Sequence, residues 1–258
     1  MEIEFRARSR TETVDDAQFH YHHSVRGMSI VERLTSETPD HPSVVGFLHR
    51  PDTAPRDALV LTHGAGSNCN APLLWAVADA LSSAGTLVLR CDLPFRQARP
   101  HGPPFGNGAQ DRAGLLRAVE VLRELGLREG TPVRVSLGGH SYGGRQASMV
   151  VAEDASIVDA LLLLSYPLHP PDKPQQLRTA HFAKLHTPAL FVHGSRDPFG
   201  SLDEMRAALS LISSHTDLVA IENAGHDLAH GRHDVAGRTL AAWTEFVKPS
   251  RKHGDPAH

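Results

Sequence analysis

The 258-residue chain is 40% hydrophobic and 21% charged with a formal net charge of −3, a composition that supports one sizeable globular core. That balance gives no electrostatic reason for nucleic acid or an anionic membrane as partner, and no apolar run approaches the roughly 20 residues that span a bilayer. The charged start "MEIEFRARSRTETVDD" does not read as a secretory signal, and two cysteines, Cys69 and Cys91, make no disulfide framework; both fit a reducing cytoplasm as small packed residues.

Residues 1–28 read as a flexible polar leader, residues 29–250 as a single domain and residues 251–258 as a disordered tail. The leader holds "HYHH" (His20 to His23), the densest group among 18 histidines. No cysteine or carboxylate set at zinc spacing accompanies it, so a solvated segment is the expectation and no metal or cofactor is called for.

From residue 43 the pattern becomes regular. "SVVGFLHRP" reads as a strand ended by Pro51, and the apolar residues 58–62 as a strand buried on both faces. A helix follows over 71–85 with Gly85 closing it, then a strand at 86–94 and an amphipathic helix at 111–126. "VRVSLGG" is a strand, "GGRQASMVVAED" a helix, and "ALLLLSYP" and "ALFVHG" are further buried strands. "SLDEMRAALSLIS" opens with Ser201 and Glu204 at capping-box spacing, "DLVAIE" is the last strand, and 234–248 the last helix. This alternation predicts an α/β fold: a mostly parallel central sheet with helices on both faces and no large cap domain. Two segments rich in Pro and Gly, 93–110 and 166–185, follow strands and are expected to border a site at the carboxyl end of the sheet.

Chemistry concentrates at Gly139-His140-Ser141-Tyr142-Gly143, a G-x-S-x-G set between a strand and a helix. Small residues there allow a tight elbow that lifts a serine hydroxyl over the sheet edge. A serine needs a base, and a base needs an acid to hold its tautomer. In the order Ser…Asp…His, Asp197 follows one buried strand and His226 the next. Asp203 competes weakly with Asp197 but falls in a helix's first turn, and His193 at a strand end reads as structural. His230, four residues beyond His226, lacks further ligands for a metal site. The oxyanion donors expected are the backbone N–H groups of Tyr142 and, from "THGAGSN", of Ala65. His63, Gly64 and His140 are candidate pocket residues beside them, with His169 on the second loop. Arg145, one turn into the helix, is expected to pair with Asp92; the alternative is that Arg145, with Arg96, Arg99 and Lys173, receives an anionic group of the substrate.

"HGAGSN", "GGHSYGGR", "SRDPFG" and "AGHD" together resemble the α/β-hydrolase superfamily across positions 43–248. Within it, "GGR" after the elbow and "YPLHPPDKPQQLR" are most similar to the small, lidless branch related to dienelactone hydrolases. That branch includes bacterial hydrolase-like proteins and animal testis-expressed proteins and chromatin-complex subunits. The resemblance implies a Ser-Asp-His hydrolase fold with Ser141, Asp197 and His226 as triad, and supplies no substrate. The residues themselves read as those of a serine hydrolase, needing no cofactor or metal, that acts on an ester, thioester or related acyl bond of a small molecule. Dienelactone hydrolases use a cysteine nucleophile, so their substrate does not carry over. The alternatives are a non-catalytic scaffold that keeps the fold, and acyl transfer or perhydrolysis on the same triad.

Overall fold

The alternation of buried strands and amphipathic helices forms as expected in the computed structural model of the protein, which describes residues 2–7, 30–130, 133–228 and 232–248. Six strands run parallel: β4 (Asp57–Thr62), β5 (Thr86–Cys91), β6 (Arg134–His140), β7 (Leu161–Leu164), β8 (Ala189–Gly194) and β9 (Thr216–Ile221). Three antiparallel strands, β3 (His41–Arg50), β2 (Ile30–Thr38) and β1 (Glu2–Ala7), extend the sheet past β5. The order is β1-β2-β3-β5-β4-β6-β7-β8-β9.

Period-2 alternation in these strands feeds two cores. In β7, Leu161 and Leu163 face one layer and Leu162 and Leu164 the other, all fully buried. Each such leucine contributes about 1.5–3 kcal/mol relative to an exposed one. The first layer is covered by α3 (Ala109–Arg128), α4 (Tyr142–Glu153) and α5 (Leu202–Leu209), the second by α1 (Pro72–Ser83) and α6 (Val235–Phe246). α5 starts in the predicted capping box, Ser201 with Glu204. Among the described residues no cap domain is inserted, and no helix is long and apolar enough to cross a membrane.

Three features depart from the expectation. Residues Glu2–Ala7, assigned to a flexible leader, form β1 along β2. β2 was not foreseen at all, because "IVERLTSET" buries only Leu34 and Ser36 and offers no apolar rhythm. A short helix, α2 (Pro94–Ala98), opens the segment 93–110, started by Pro94 at its first position. The remaining leader residues, "HYHH" among them, and the tail 251–258 lie outside the described residues.

A buried cation sits between β3 and β5. Arg90, 1% exposed, donates from Nε to His49 Nε2 at 2.7 Å and from Nη1 to the Cys69 carbonyl, with Phe47 and Trp75 rings 5.3 and 5.9 Å from its guanidinium carbon. Burial and then Arg90 itself push the His49 pKa down to about 3, so His49 stays neutral and accepts.

Candidate active site

The site stands at the carboxyl ends of the parallel strands, where the loops after β4, β6, β8 and β9 converge. Ser141 follows β6 directly and occupies the N-cap of α4 with φ 51° and ψ −115°, a conformation that a non-glycine residue holds only under constraint. Its N–H donates to the Leu164 carbonyl at 2.8 Å, which locks the elbow to β7. The close packing on both sides explains the neighbouring glycines. A Cβ on Gly139 would meet the Gly144 nitrogen at 2.8 Å, and one on Gly143 would meet the His63 carbonyl oxygen at 2.5 Å.

Ser141, His226 and Asp197 form one hydrogen-bonded line. Ser141 Oγ donates to His226 Nε2 at 2.7 Å, and His226 Nδ1 donates to Asp197 Oδ2 and Oδ1 at 2.8 and 3.0 Å. The Asp197 side chain is wholly buried, and its Oδ1 also accepts the Phe199 N–H at 2.8 Å. A carboxylate buried this way is held by its donors, and it fixes the imidazole tautomer that leaves Nε2 free to accept. Phe199 then covers the His226 ring at 4.1 Å between centroids. Sequence reasoning did not identify Phe199, since an aromatic two residues after Asp197 has no signature of its own.

Two neutral histidines brace this line, and a third braces the loop after β4. His140 donates from Nε2 to the His226 carbonyl at 2.8 Å, and burial lowers its pKa to about 4. His193 donates from Nε2 to the Gly200 carbonyl at 2.7 Å, beside Asp197, with its pKa likewise lowered by burial. His63, fully buried, donates from Nδ1 to the Gly64 carbonyl at 2.9 Å and accepts the Leu93 N–H on Nε2 at 3.1 Å; burial lowers its pKa as well. His63 was expected in the pocket and is instead a brace behind it. Its bond has a consequence for the loop after β4. The Gly64 carbonyl, fixed by His63 and by Ser67 N–H, turns the amide N–H of Ala65 the opposite way across the same planar peptide. Gly64 itself approaches Ser141, since a Cβ there would lie 3.4 Å from Ser141 Cβ.

These histidines, together with His49 and with His181, whose Nε2 lies 2.8 Å from Ser148 Oγ, predict a pH dependence of folding. Burial sets the folded-state pKa values of His49, His140 and His181 at about 3, 4 and 4, below the unfolded value of 6.5. Near pH 5 the unfolded chain therefore binds protons that the folded chain refuses, so stability is full above the unfolded pKa and is lost as pH falls below it. His49 alone accounts for about 2 kcal/mol at pH 5. Urea unfolding at pH 7 and pH 5 should give the lower stability at pH 5; equal values would overturn the assignment of these side chains as neutral.

Ser141, Tyr142 and Ala65 line a cleft of about 580 Å³, closed on its sides by Gly106–Gly108, Pro167 and Arg178. The two Pro-rich segments thus do border the site. Tyr142 is the first residue of α4, where a backbone N–H has no partner within the helix. Its hydroxyl donates to Asp111 Oδ2 at 2.7 Å, while Asp111 Oδ1 accepts the Phe95 N–H at 3.0 Å. The helix start is thereby anchored to α2 and α3.

The arginines sort differently from the expectation. Arg145 does not meet Asp92. Asp92 Oδ1 accepts the Cys69 N–H at 2.7 Å and lies 3.5 Å from His63 Nε2, while Arg145 lines the cleft. Arg96 lies outside this cleft: it is 6% exposed and its guanidinium donates to the carbonyls of Ser67, Ala65, Arg99, Pro100 and Gly102. It ties the loop after β4 to the segment 99–102. Arg99 stacks on Phe105, Lys173 is exposed, and neither lines the cleft. His169 is buried outside it, donating to the Pro170 carbonyl at 2.8 Å. Among the described residues no three His, Cys, Asp or Glu side chains converge as a metal site requires, and His230 lies outside them.

A family model described as an alpha/beta hydrolase domain matches residues 55–250, which contain the whole arrangement. The chain belongs to the α/β hydrolase family. Solved structures similar to this α/β hydrolase include a dienelactone hydrolase from Anabaena variabilis, at 22% identity and TM-score 0.66, covering 86% of this chain and 100% of that one. An α/β serine hydrolase homologue from Coxiella burnetii matches at 19% identity and 0.63, over 86% and 99% of the two chains. A lidless α/β serine hydrolase from Xanthomonas campestris matches at 15% and 0.64, over 90% and 100%. At these identities the structures share the fold with this chain.

Proposed function

We propose that this α/β hydrolase is a serine hydrolase that cleaves an ester, thioester or related acyl bond of a small molecule. The observation that carries the reading is the line Ser141–His226–Asp197, with Ser141 on a constrained elbow at the edge of an open cleft. In this mechanism Ser141 Oγ attacks the carbonyl carbon as its proton passes to His226 Nε2, and Asp197 stabilises the imidazolium. Negative charge on the carbonyl oxygen is met by the N–H groups of Tyr142 and Ala65, aided by the N-terminus of α4. His226 returns the proton to the leaving group, and water then enters by the same route to release the acid and restore Ser141. No step calls on a cofactor. The free thiols Cys69 and Cys91, buried and pushed up in pKa by burial, support a reducing cytoplasmic setting.

Labelling of the purified protein by a fluorophosphonate probe tests the reading. The parent should be labelled, and Ser141→Ala and His226→Ala should not. An unlabelled parent beside a labelled control hydrolase would refute it and favour a scaffold that keeps the fold. Product analysis with competing alcohol acceptors then separates hydrolysis from acyl transfer.

A further inference from the structure

Two cations face the same cleft without an acid to meet them. Arg145 lies on α4 one turn past the nucleophile, its N–H bonded to the Ser141 carbonyl at 3.0 Å, so its backbone is about 6 Å along the helix axis from Ser141. Arg178 comes from the Pro-rich segment on the facing wall. Among the described residues neither forms an ion pair with a carboxylate. The buried Nε of Arg145 has no hydrogen-bond partner, and Arg178 spends one long bond, 3.4 Å, on the Pro167 carbonyl. The carboxylate on this side of the site, Asp111, is taken by Tyr142 and Phe95.

Retaining two like charges together in a partly desolvated wall is costly. Burial and then the charge of Arg145 lower the pKa of Arg178, and the same two causes bring His181 down to about 4. Arg96 shows the contrast: its guanidinium is fully occupied by carbonyls and belongs to the framework. Arg145 and Arg178 have donors to spare, and guanidinium donors match the oxygens of carboxylates and phosphates in pairs.

We propose that Arg145 and Arg178 form a receptor for an anionic group, a carboxylate or a phosphate, carried by the substrate on a short spacer from the carbonyl that Ser141 attacks. This names the substrate class and rests on the serine-hydrolase reading. The natural substrate is then an acyl compound with an acidic end, and plain alkyl esters occupy the cleft without engaging either arginine.

The test compares 4-methylumbelliferyl esters of hexanoate, hydrogen adipate and 5-phosphonopentanoate, which share a chain and differ at its end. The parent should prefer an acidic ester over hexanoate in kcat/KM, and the better of the two acids identifies the anion. Arg145→Gln and Arg178→Gln should each lower that preference by roughly 10- to 100-fold, with Arg145→Lys restoring part of it. Lys173→Gln, a change of surface charge outside the cleft, should leave the preference where it was. Calorimetric titration of monomethyl adipate and of methyl phosphate into Ser141→Ala reads the same receptor without turnover. Binding there that vanishes with Arg145→Gln would sustain the receptor even if fluorophosphonate labelling of the parent failed. A preference and a binding constant that ignore both arginines, or that fall equally with Lys173→Gln, would overturn it.

Discussion

His226→Ala is expected to lower kcat/KM by about 10⁴- to 10⁶-fold, and adding Ser141→Ala to it should change almost nothing more. The reason lies in one short bond. Ser141 Oγ gives its proton to Nε2 over 2.7 Å, so without the imidazole the hydroxyl is an unactivated alcohol, and without the hydroxyl the imidazole has nothing to activate. The two side chains act as a unit, and their losses do not add. Asp197→Asn should cost about 10⁴-fold alone, because an amide can present N–H toward Nδ1 and turn the ring to the wrong tautomer. On the proposed mechanism, what survives in each variant should come from the N–H donors of Ala65 and Tyr142 and from binding. Steady-state kinetics on a labelling-competent ester would decide the matter: if the double variant loses the product of the two single losses, the residues contribute independently and the mechanism is wrong.

Much of this arrangement was legible in the sequence because its requirements are local. A strand buried on both faces must be almost wholly apolar, as "LLLL" in β7 and "ALFV" in β8 are. An elbow needs small residues around the serine, and those are adjacent in the chain. The order of serine, acid and base is read from the nucleophile-elbow motif, and Asp197 and His226 each follow a buried strand in that order. What escaped depends on contacts between distant segments. β2 is polar along most of its length, since it lies near the sheet's outer side and buries little. The fates of the arginines were equally hidden, because Arg96 and Arg145 differ in partners rather than in local pattern. Arg96 faces five carbonyls offered by two loops; Arg145 faces a cleft. Arg178 was not singled out, although the segment carrying it was expected at the site. His63 likewise lies in a glycine-rich motif that suggested a pocket wall, yet complete burial and two backbone partners make it a strut.

Gly143→Ala, a single methyl group, should destabilise the protein by about 2–4 kcal/mol and cripple the site in whatever fraction still folds. The added Cβ would stand 2.5 Å from the His63 carbonyl oxygen and 2.6 Å from Thr62 Cγ2. Neither neighbour can retreat freely. Thr62 is fully buried, ends β4 and donates to the Cys91 carbonyl at 3.1 Å, while the His63 ring is held at both nitrogens. The clash therefore has to be relieved by moving α4 away from β4. That shift separates Tyr142 from Ala65 and carries Ser141 off the end of His226, since the elbow and the helix start are one piece of backbone. Helix propensity would point the other way, since alanine is favoured over glycine in a helix by at most about 1 kcal/mol, although Gly143 is only the second residue of α4. Gly66→Ala supplies the comparison, as nothing described lies within 4 Å of a Cβ there and its stability should match the parent's within about 0.5 kcal/mol. Urea unfolding of both variants reads the difference directly. A Gly143→Ala protein as stable as Gly66→Ala would mean that α4 and β4 are packed more loosely than these distances require, and the constrained elbow would lose its explanation.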